Sequence, residues 1–191
     1  MREQTLPSEV QRLTSVAMTG VRALLQLAGR DVGDEDVEKT PHRAVKAFME
    51  MTRGTLVGPK EILATTFPVE HAGLVVVDGI EFVSLCEHHL LPFTGTVKIG
   101  YMPGARVVGL SKLARLVDCY AQRLQVQERM TDQIAQAIME HLDAQAAAVI
   151  VRASHSCMSC RGVRKRASMV TSSMLGELRE SQSLRAEFLA L

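Results

Sequence analysis

The sequence predicts an α+β protein with the element order α-α-β-β-α-α-β-β-α. Apolar residues recur every three or four positions near the N-terminus and again between about 111 and 142, which is typical of amphipathic helices. From about Val75 the period changes to two, which is typical of strands with one buried face. A chain of 191 residues is long enough for one domain with an appended module.

The composition excludes several other classes of protein. Apolar residues make up 47% of the chain and the net charge is +1, an ordinary balance for a globular protein. No apolar run approaches the roughly 18 residues that a membrane span needs. The first ten residues, MREQTLPSEV, contain no apolar signal region, so we expect a cytoplasmic protein. Four cysteines are too few for a disulfide framework and suit metal binding or thiolate chemistry better.

Two helices form an N-terminal module, which we place at residues 1–60, ahead of a main domain at residues 61–191. The first helix lies between residues 7 and 29, where one apolar stripe repeats at helical spacing. The second runs from a threonine cap and a proline at 40–41 to about residue 53. Gly54 follows, where a helix end favours a left-handed residue.

The main domain opens with two antiparallel strands, one starting near Val75 and one over Phe93–Tyr101. The connection Cys86–Pro92 between them is rich in chemically reactive side chains. Two helices follow, the first opened by Ser111 and the second covering about 127–142. The remaining elements are a strand at Ala147–Ala153, a weaker strand at Ala167–Leu175, and a helical tail that reaches Leu191.

Six candidate metal ligands fall in two short segments, each directly after a predicted strand. They are Cys86, His88, His89, His155, Cys157 and Cys160. Neighbouring strand ends can bring distant ligands together, and thiolate and imidazole are preferred ligands of zinc.

Three interpretations are open on spacing alone. The first is a closed structural zinc site made by Cys86, His89, Cys157 and Cys160. The second is an open catalytic site with three protein ligands and a water, which the spare histidines favour. The third is a redox pair of Cys157 and Cys160, although no predicted helix N-terminus is present to lower a thiol pKa.

The start of the first main-domain helix has the features of an anion site. Ser111 caps this helix in our interpretation, and Lys112 and Arg115 lie in its first turn, so a hydroxyl, backbone N–H groups and two cations converge. Cations are unfavourable at the positive end of a helix unless an anion is present. The alternative is a set of solvated surface charges.

Two further basic groups are Arg161 with the run Arg164–Arg166, and the pair Arg43 and Lys46 on the second helix. A net charge of +1 and an aromatic content of 4% do not favour nucleic-acid binding, since neither a broad basic field nor stacking platforms are present. A small polyphosphate ligand fits better.

The segment Gln127-Glu128-Arg129 opens the next helix. A buried carboxylate is the natural acceptor for an N1–H and amino edge, which among purines means guanine. The alternative is an ordinary acid in the first turn of a helix, where the helix dipole favours it.

Several segments together resemble the GTP cyclohydrolase I family. They are TPHRAVKAF (40–48), SLCEHHLLPFTG (84–95), IGYMP (99–103), GLSKLARLVD (109–118), RLQVQERMTDQIA (123–135) and TSSMLGELRE (171–180). The resemblance covers about Thr40 to Leu191 in unbroken order. It implies a T-fold, a four-stranded antiparallel sheet with two helices between the second and third strands. It also implies a homodecamer of two pentamers with active sites shared between subunits.

The resemblance assigns roles to the candidate residues. It implies Zn²⁺ held by Cys86, His89 and Cys157 with a water as fourth ligand, and catalytic roles for His88 and His155. It implies that Glu128 recognises the guanine, and Gln127 is a further expected substrate contact. The implied triphosphate contacts are Ser111, Lys112, Arg115 and Arg161, with Arg43 and Lys46 as helpers. Cys160 and the run Arg164–Arg166 depart from the family pattern, and of these Cys160 is the departure that bears on the ligand set.

The implied reaction is zinc-dependent opening of the GTP imidazole ring, release of formate, and rearrangement to 7,8-dihydroneopterin triphosphate, an entry step to pterins and folate. Two alternatives from other classes remain. One is a T-fold enzyme that acts on another pterin or a deazapurine, and the other is a non-catalytic, zinc-stapled protein that binds GTP.

Overall fold

The structure is a computed structural model that describes residues 8–56, 58–69 and 73–191. The chain divides into two compact units, of which one ends at Glu50 and the other begins at Met51. The expectation about an export signal concerns residues 1–10, and the first seven of these lie outside the described residues. No helix in the described ranges is long and apolar enough to cross a membrane.

The first unit contains the two predicted helices, α1 (Ser8–Leu27) and α2 (Thr40–Met51), and α2 continues one residue past the boundary. The acidic segment between the helices is tied by Arg30, which forms ion pairs with Asp34 and Asp36. Both helices lie where the apolar periodicity predicted them.

The second unit begins with short elements that the sequence did not predict. A 3₁₀ turn at Arg53–Leu56 precedes helix α3 (Pro59–Leu63). Strand β1 (Thr66–Pro68) then pairs antiparallel with β4 (Arg106–Val108) in a small separate sheet. Each of these elements has three to five residues, too few to show a hydrophobic period.

The main sheet has the strand order β5-β2-β3-β6-β7. Its strands are β2 (Val75–Cys86), β3 (Pro92–Met102), β5 (Leu124–Gln125), β6 (Ala146–His155) and β7 (Ser168–Gly176). Strands β2, β3, β6 and β7 are antiparallel neighbours, and the two-residue β5 runs parallel to β2. Helices α4 (Leu110–Ala121) and α5 (Gln127–His141) lie between β3 and β6 in the chain. This is the predicted ββααββ order, with β5 as an addition.

The core lies on both faces of the main sheet. One face packs against the apolar stripes of α4 and α5, with Leu116 and Ile134 fully buried. The other face is covered by α7 (Glu177–Glu180) and α8 (Gln182–Ala190), whose Phe188 is fully buried. Strand β6 is therefore enclosed on both sides, which explains its unbroken apolar run.

Gly54 has a different role from the one predicted. It does not adopt a positive φ, and it is buried against the C-terminal end of α4. A Cβ atom there would lie 2.6 Å from the carbonyl oxygen of Cys119 and 2.8 Å from that of Gln122. The position requires a glycine because two backbone segments approach closely, not because the residue after the helix adopts a left-handed conformation.

Candidate metal and nucleotide site

A tight turn at the end of β2 brings the first two candidate ligands together. The carbonyl oxygen of Cys86 accepts hydrogen bonds from the backbone N–H groups of His89 (3.3 Å) and Leu90 (2.8 Å). The Cys86 N–H donates to the carbonyl oxygen of Leu91 at 2.9 Å. Leu90 has a φ of 55°, a left-handed conformation that a leucine rarely adopts. The turn places Cys86 Sγ 3.8 Å from His89 Nδ1.

The end of β6 supplies the third ligand. His155 is the last residue of β6 and pairs in register with Phe93 at the start of β3, so this strand end lies beside the turn after β2. The chain then forms a single helical turn, α6 (Ser156–Ser159), which contains Cys157. The ligand atoms of Cys86, His89 and Cys157 all lie within 4.8 Å of one another.

The chemistry of these three side chains fits a zinc ion. Zinc binds thiolate sulfur at about 2.3 Å and imidazole nitrogen at about 2.0–2.1 Å, so two tetrahedral ligands of these types stand roughly 3.6 Å apart. The observed separation of Cys86 Sγ and His89 Nδ1 is 3.8 Å. Burial, followed by the neighbouring Cys86 sulfur, raises the pKa of the Cys157 thiol. A divalent cation between the two sulfurs would reverse this effect by stabilising both thiolates.

Cys160 and His88 lie at the edge of the group. Cys160 is exposed and is not among the three residues whose ligand atoms meet. The helical turn α6 corrects the expectation that no helix starts near Cys157, but the raised pKa of this thiol opposes a redox role. His88 Nδ1 lies 4.0 Å from Cys86 Sγ, and its Nε2 lies 3.8 Å from Oε1 of Glu87.

The His155 ring is held on two sides. It stacks on Phe93 with 4.7 Å between ring centroids and 2° between planes. Its Nε2 lies 2.8 Å from Oε1 of Gln127. Burial lowers the pKa of His155, and the negative charge of Glu128 partly opposes this shift. The lower pKa makes the protonated ring a stronger acid.

Gln127, which we expected among the substrate contacts, has a side chain that is buried in this chain. Its side chain is 1% exposed, and its amide nitrogen lies within 3.2 Å of Val151 O, Met169 O and Thr171 Oγ1. Thr131, one turn further along α5, bonds to the Gln127 carbonyl oxygen and to Thr171 Oγ1. Sequence reasoning missed this network; its only local signal is that Gln127 and Thr131 share the buried face of α5.

A second unpredicted contact holds the turn that carries the candidate metal ligands Cys86 and His89. The carboxylate of Glu87, between Cys86 and His89 in the chain, forms an ion pair with the guanidinium of Arg129 in α5. The Glu87 N–H also donates to the carbonyl oxygen of Gln125 in β5 at 3.1 Å. The turn is thereby attached to the element that begins with Gln127 and Glu128.

The predicted anion residues of the second unit lie on its surface. Helix α4 begins at Leu110 with Gly109 as N-cap, so Ser111 is inside the first turn and does not cap the helix as we expected. Lys112 is half-buried and Arg115 is exposed. Arg115 lines a cavity of about 420 Å³ between α3, α4 and the 3₁₀ turn.

The other predicted contacts are spread over both units. Arg161 follows α6 and is exposed. Glu128 is also exposed in this chain, so the single chain does not form the enclosed guanine pocket that we expected. In the first unit, Arg43 donates to Thr40 Oγ1 at 3.0 Å, and Lys46 lies 3.9 Å from a carboxylate oxygen of Glu50. No ion pair within the described ranges involves Lys112, Arg115 or Arg161.

Fold and site together define a T-fold protein with a Cys-His-Cys group at the ends of two sheet strands. The sequence profile of the family described as GTP cyclohydrolase I matches residues 17–191. The chain belongs to the GTP cyclohydrolase I family and is a hydrolase of that family.

Individual relatives agree with this assignment. The chain is 49% identical to a GTP cyclohydrolase 1 of Gloeobacter violaceus over 91% of its length and 82% of the relative's. It is 48% identical to that of Methylococcus capsulatus over 93% of its length and 97% of the relative's. Among solved structures, an archaeosine synthase QueF-Like in the apo form matches with a TM-score of 0.44 at 16% identity, covering 55% of this chain and 96% of that chain.

Proposed function

We propose that this chain converts GTP to 7,8-dihydroneopterin triphosphate and formate in a zinc-dependent reaction, as a cytoplasmic enzyme at the entry to pterin and folate synthesis. The observation that carries the proposal is the meeting of Cys86, His89 and Cys157 beside the stacked ring of His155. Membership in the GTP cyclohydrolase I family supports the choice of substrate.

The metal is assigned to three side chains in this proposal. Cys86, His89 and Cys157 would hold the zinc ion, and three protein ligands are the number typical of a catalytic rather than a structural zinc site. When bound there, zinc would supply Lewis-acid chemistry, which activates water and polarises substrate oxygen atoms. The ion pair of Glu87 and Arg129 holds the turn that carries Cys86 and His89. These two ligands are therefore preorganised for metal binding.

Proton transfer is assigned to two histidines that do not hold the metal. His155 donates a proton to N7 of the purine, which makes C8 electrophilic toward water. The stack on Phe93 and the bond to Gln127 leave this ring little freedom, as general acid catalysis requires. His88 is exposed next to the turn and acts as acid or base when the ribose ring opens. The net reaction consumes one water, because two waters cleave the imidazole ring and one leaves on closure.

Substrate recognition in this proposal uses polar and charged residues on three helices and one loop. Glu128 accepts the N1–H and amino protons of guanine, and neighbouring subunits must cover it because it is exposed in the single chain. The triphosphate is bound by cations and a hydroxyl that this chain leaves exposed or half-buried. These residues are Ser111, Lys112, Arg115 and Arg161, with Arg43 and Lys46 as helpers.

The proposed assembly rests on two exposed features of the single chain, an unpaired sheet edge and the carboxylate of Glu128. Strand β7 is an edge of the main sheet, and an unpaired edge invites pairing with another copy. A ring of subunits would pair these edges and cover Glu128 together. We therefore propose a homodecamer of two pentamers with shared active sites, to be checked by sedimentation, where a fully active monomer would contradict it.

A formate assay tests the proposed function. The zinc-loaded protein is incubated with GTP, ATP or 7,8-dihydroneopterin triphosphate, and we expect formate from GTP alone. Binding of GTP without formate would indicate the non-catalytic protein, and turnover of a pterin in place of GTP would indicate another T-fold enzyme. The matched control is Cys157→Ser, which should lose bound zinc and formate release together.

A further inference from the structure

The side-chain amide of Gln127 can adopt only one orientation. Its nitrogen lies 3.1 Å from the carbonyl oxygen of Val151 in β6 and 3.1 Å from that of Met169 in β7. Carbonyl oxygens accept hydrogen bonds and never donate them. A flipped amide would place its own oxygen against both carbonyls at the same distance, inside a site that is 1% exposed. The nitrogen therefore faces the strands, and Oε1 faces His155.

This orientation decides which nitrogen of His155 carries the hydrogen. Gln127 Oε1 can only accept, and it lies 2.8 Å from His155 Nε2. His155 Nε2 must therefore be the donor. In the neutral ring the second nitrogen, Nδ1, then holds a lone pair, because a neutral imidazole has one N–H.

The remaining contacts of the ring leave Nδ1 free for chemistry. The stack on Phe93, at 4.7 Å and 2°, fixes the plane of the ring. Within the described ranges Nδ1 makes no hydrogen bond, and no side-chain nitrogen or oxygen shut off from solvent lacks a partner there. Nδ1 is therefore open to solvent.

We propose that Gln127 is a positioning residue that holds His155 as the Nε2–H tautomer and makes Nδ1 the atom through which His155 transfers protons. Nε2 carries a hydrogen in the neutral Nε2–H tautomer and in the protonated ring, so the contact with Gln127 Oε1 is compatible with both forms. The assignment of Nδ1 to proton transfer rests on the proposed function, whereas the tautomer does not. In this proposal Gln127 does not contact the substrate, as we first expected, but acts on the reaction through His155.

The tautomer can be measured without turnover. We suggest solid-state ¹⁵N NMR of zinc-loaded protein labelled at its six histidines, at about pH 8, above the ordinary imidazole pKa of about 6.5. A spectrum of His155→Gln identifies the His155 signals by difference. The proposal requires a protonated Nε2 and a bare Nδ1. A protonated Nδ1, or a His155 nitrogen shifted by metal coordination, would overturn it.

Substitution separates positioning from substrate binding. Gln127→Met keeps the length of the side chain but removes donor and acceptor, and we expect a mixture of tautomers. Because a misplaced ring proton costs rate and not affinity, kcat for formate release should fall about 10- to 10³-fold with KM for GTP and bound zinc unchanged. Thr131→Val is the matched control, since it removes a buried hydroxyl of the same network and leaves His155 untouched. It should keep the parental tautomer.

Three results with these variants would also overturn the proposal. A raised KM with unchanged kcat in Gln127→Met would indicate that Gln127 contacts the substrate directly. A parental tautomer in the same variant would show that Gln127 does not set it. A changed tautomer in Thr131→Val would assign the effect to the packing of the network. A parent protein that releases no formate but shows the Nε2–H tautomer would overturn the proposed function and leave the tautomer assignment in place.

Discussion

The ion pair between Glu87 and Arg129 gives the sharpest test of how this fold positions its candidate metal ligands. Glu87→Gln removes the charge but keeps the shape of the side chain. The two side chains are 32% and 45% exposed, so the pair contributes at most about 1 kcal/mol to the free energy of unfolding. Glu87 nevertheless lies in the turn between Cys86 and His89, and residues that orient metal ligands are typically worth ~10- to 100-fold in affinity.

We therefore expect zinc affinity to fall about tenfold in Glu87→Gln while the metal-free protein loses no more than about 1 kcal/mol of stability. Affinity is measured by competition with a chromophoric chelator, and stability by urea denaturation after metal removal. Glu81→Gln is the matched control, because this exposed acid lies on β2, the strand that leads into the turn, and forms no ion pair within the described ranges. It should change neither quantity.

A double-mutant cycle completes the test. Arg129→Gln removes the other partner and should lower zinc affinity by a similar factor. If the pair acts as a unit, the double variant is no worse than either single variant. Unchanged zinc affinity in Glu87→Gln, or effects of the two substitutions that simply add, would refute the account of a turn held by this pair.

The remaining predictions concern ligands, specificity and pH. Cys160→Ala should keep full zinc content, because Cys160 is exposed and outside the ligand group; loss of the metal, measured by atomic emission, would restore the closed four-ligand site. Glu128→Ala should bind GTP far more weakly with zinc retained, and in the parent GTP should be favoured over ATP by roughly 10⁴ or more in formate release; equal GTP affinity in calorimetry would remove the guanine assignment. Burial raises the pKa of Tyr101 and of Tyr120, the two tyrosines of the chain. Their neutral forms therefore stabilise the fold below about pH 10, and this contribution is lost as pH rises through the folded pKa values. Phenolate absorbance should thus appear together with loss of circular dichroism above pH 10, and ionisation at the ordinary pKa in an intact fold would contradict this.

The long elements could be predicted from the sequence because their apolar period repeats many times. Helix α5 (Gln127–His141) and strand β6 (Ala146–His155) lie within a few residues of their predicted bounds. Strands β1 and β5 could not be predicted, since two or three residues show no period and pair only through the tertiary fold. The prediction that Ser111 caps α4 was wrong. Serine favours the N-cap position of a helix, but α4 begins earlier in the chain, with Gly109 as its N-cap.

Some contacts of the candidate site could likewise be predicted from the sequence, and others could not. Cys86 and His89 are three residues apart, so the sequence alone places them on one turn. The partners Glu87 and Arg129 are 42 residues apart, and each is an ordinary surface charge when considered locally. Gln127 reaches strands 24 and 42 residues further along the chain, a relation that only the packed sheet reveals.

The central claim is that C8 of GTP leaves as formate at this site, and isotope tracing tests it most directly. The zinc-loaded protein is incubated with GTP carrying ¹³C at C8, and the products are followed by NMR and mass spectrometry. The account predicts one labelled formate for each GTP consumed and a pterin triphosphate without label, with both absent when Cys157→Ser replaces the parent. A labelled carbon that stays in the nucleotide, or in the pterin product, would contradict it.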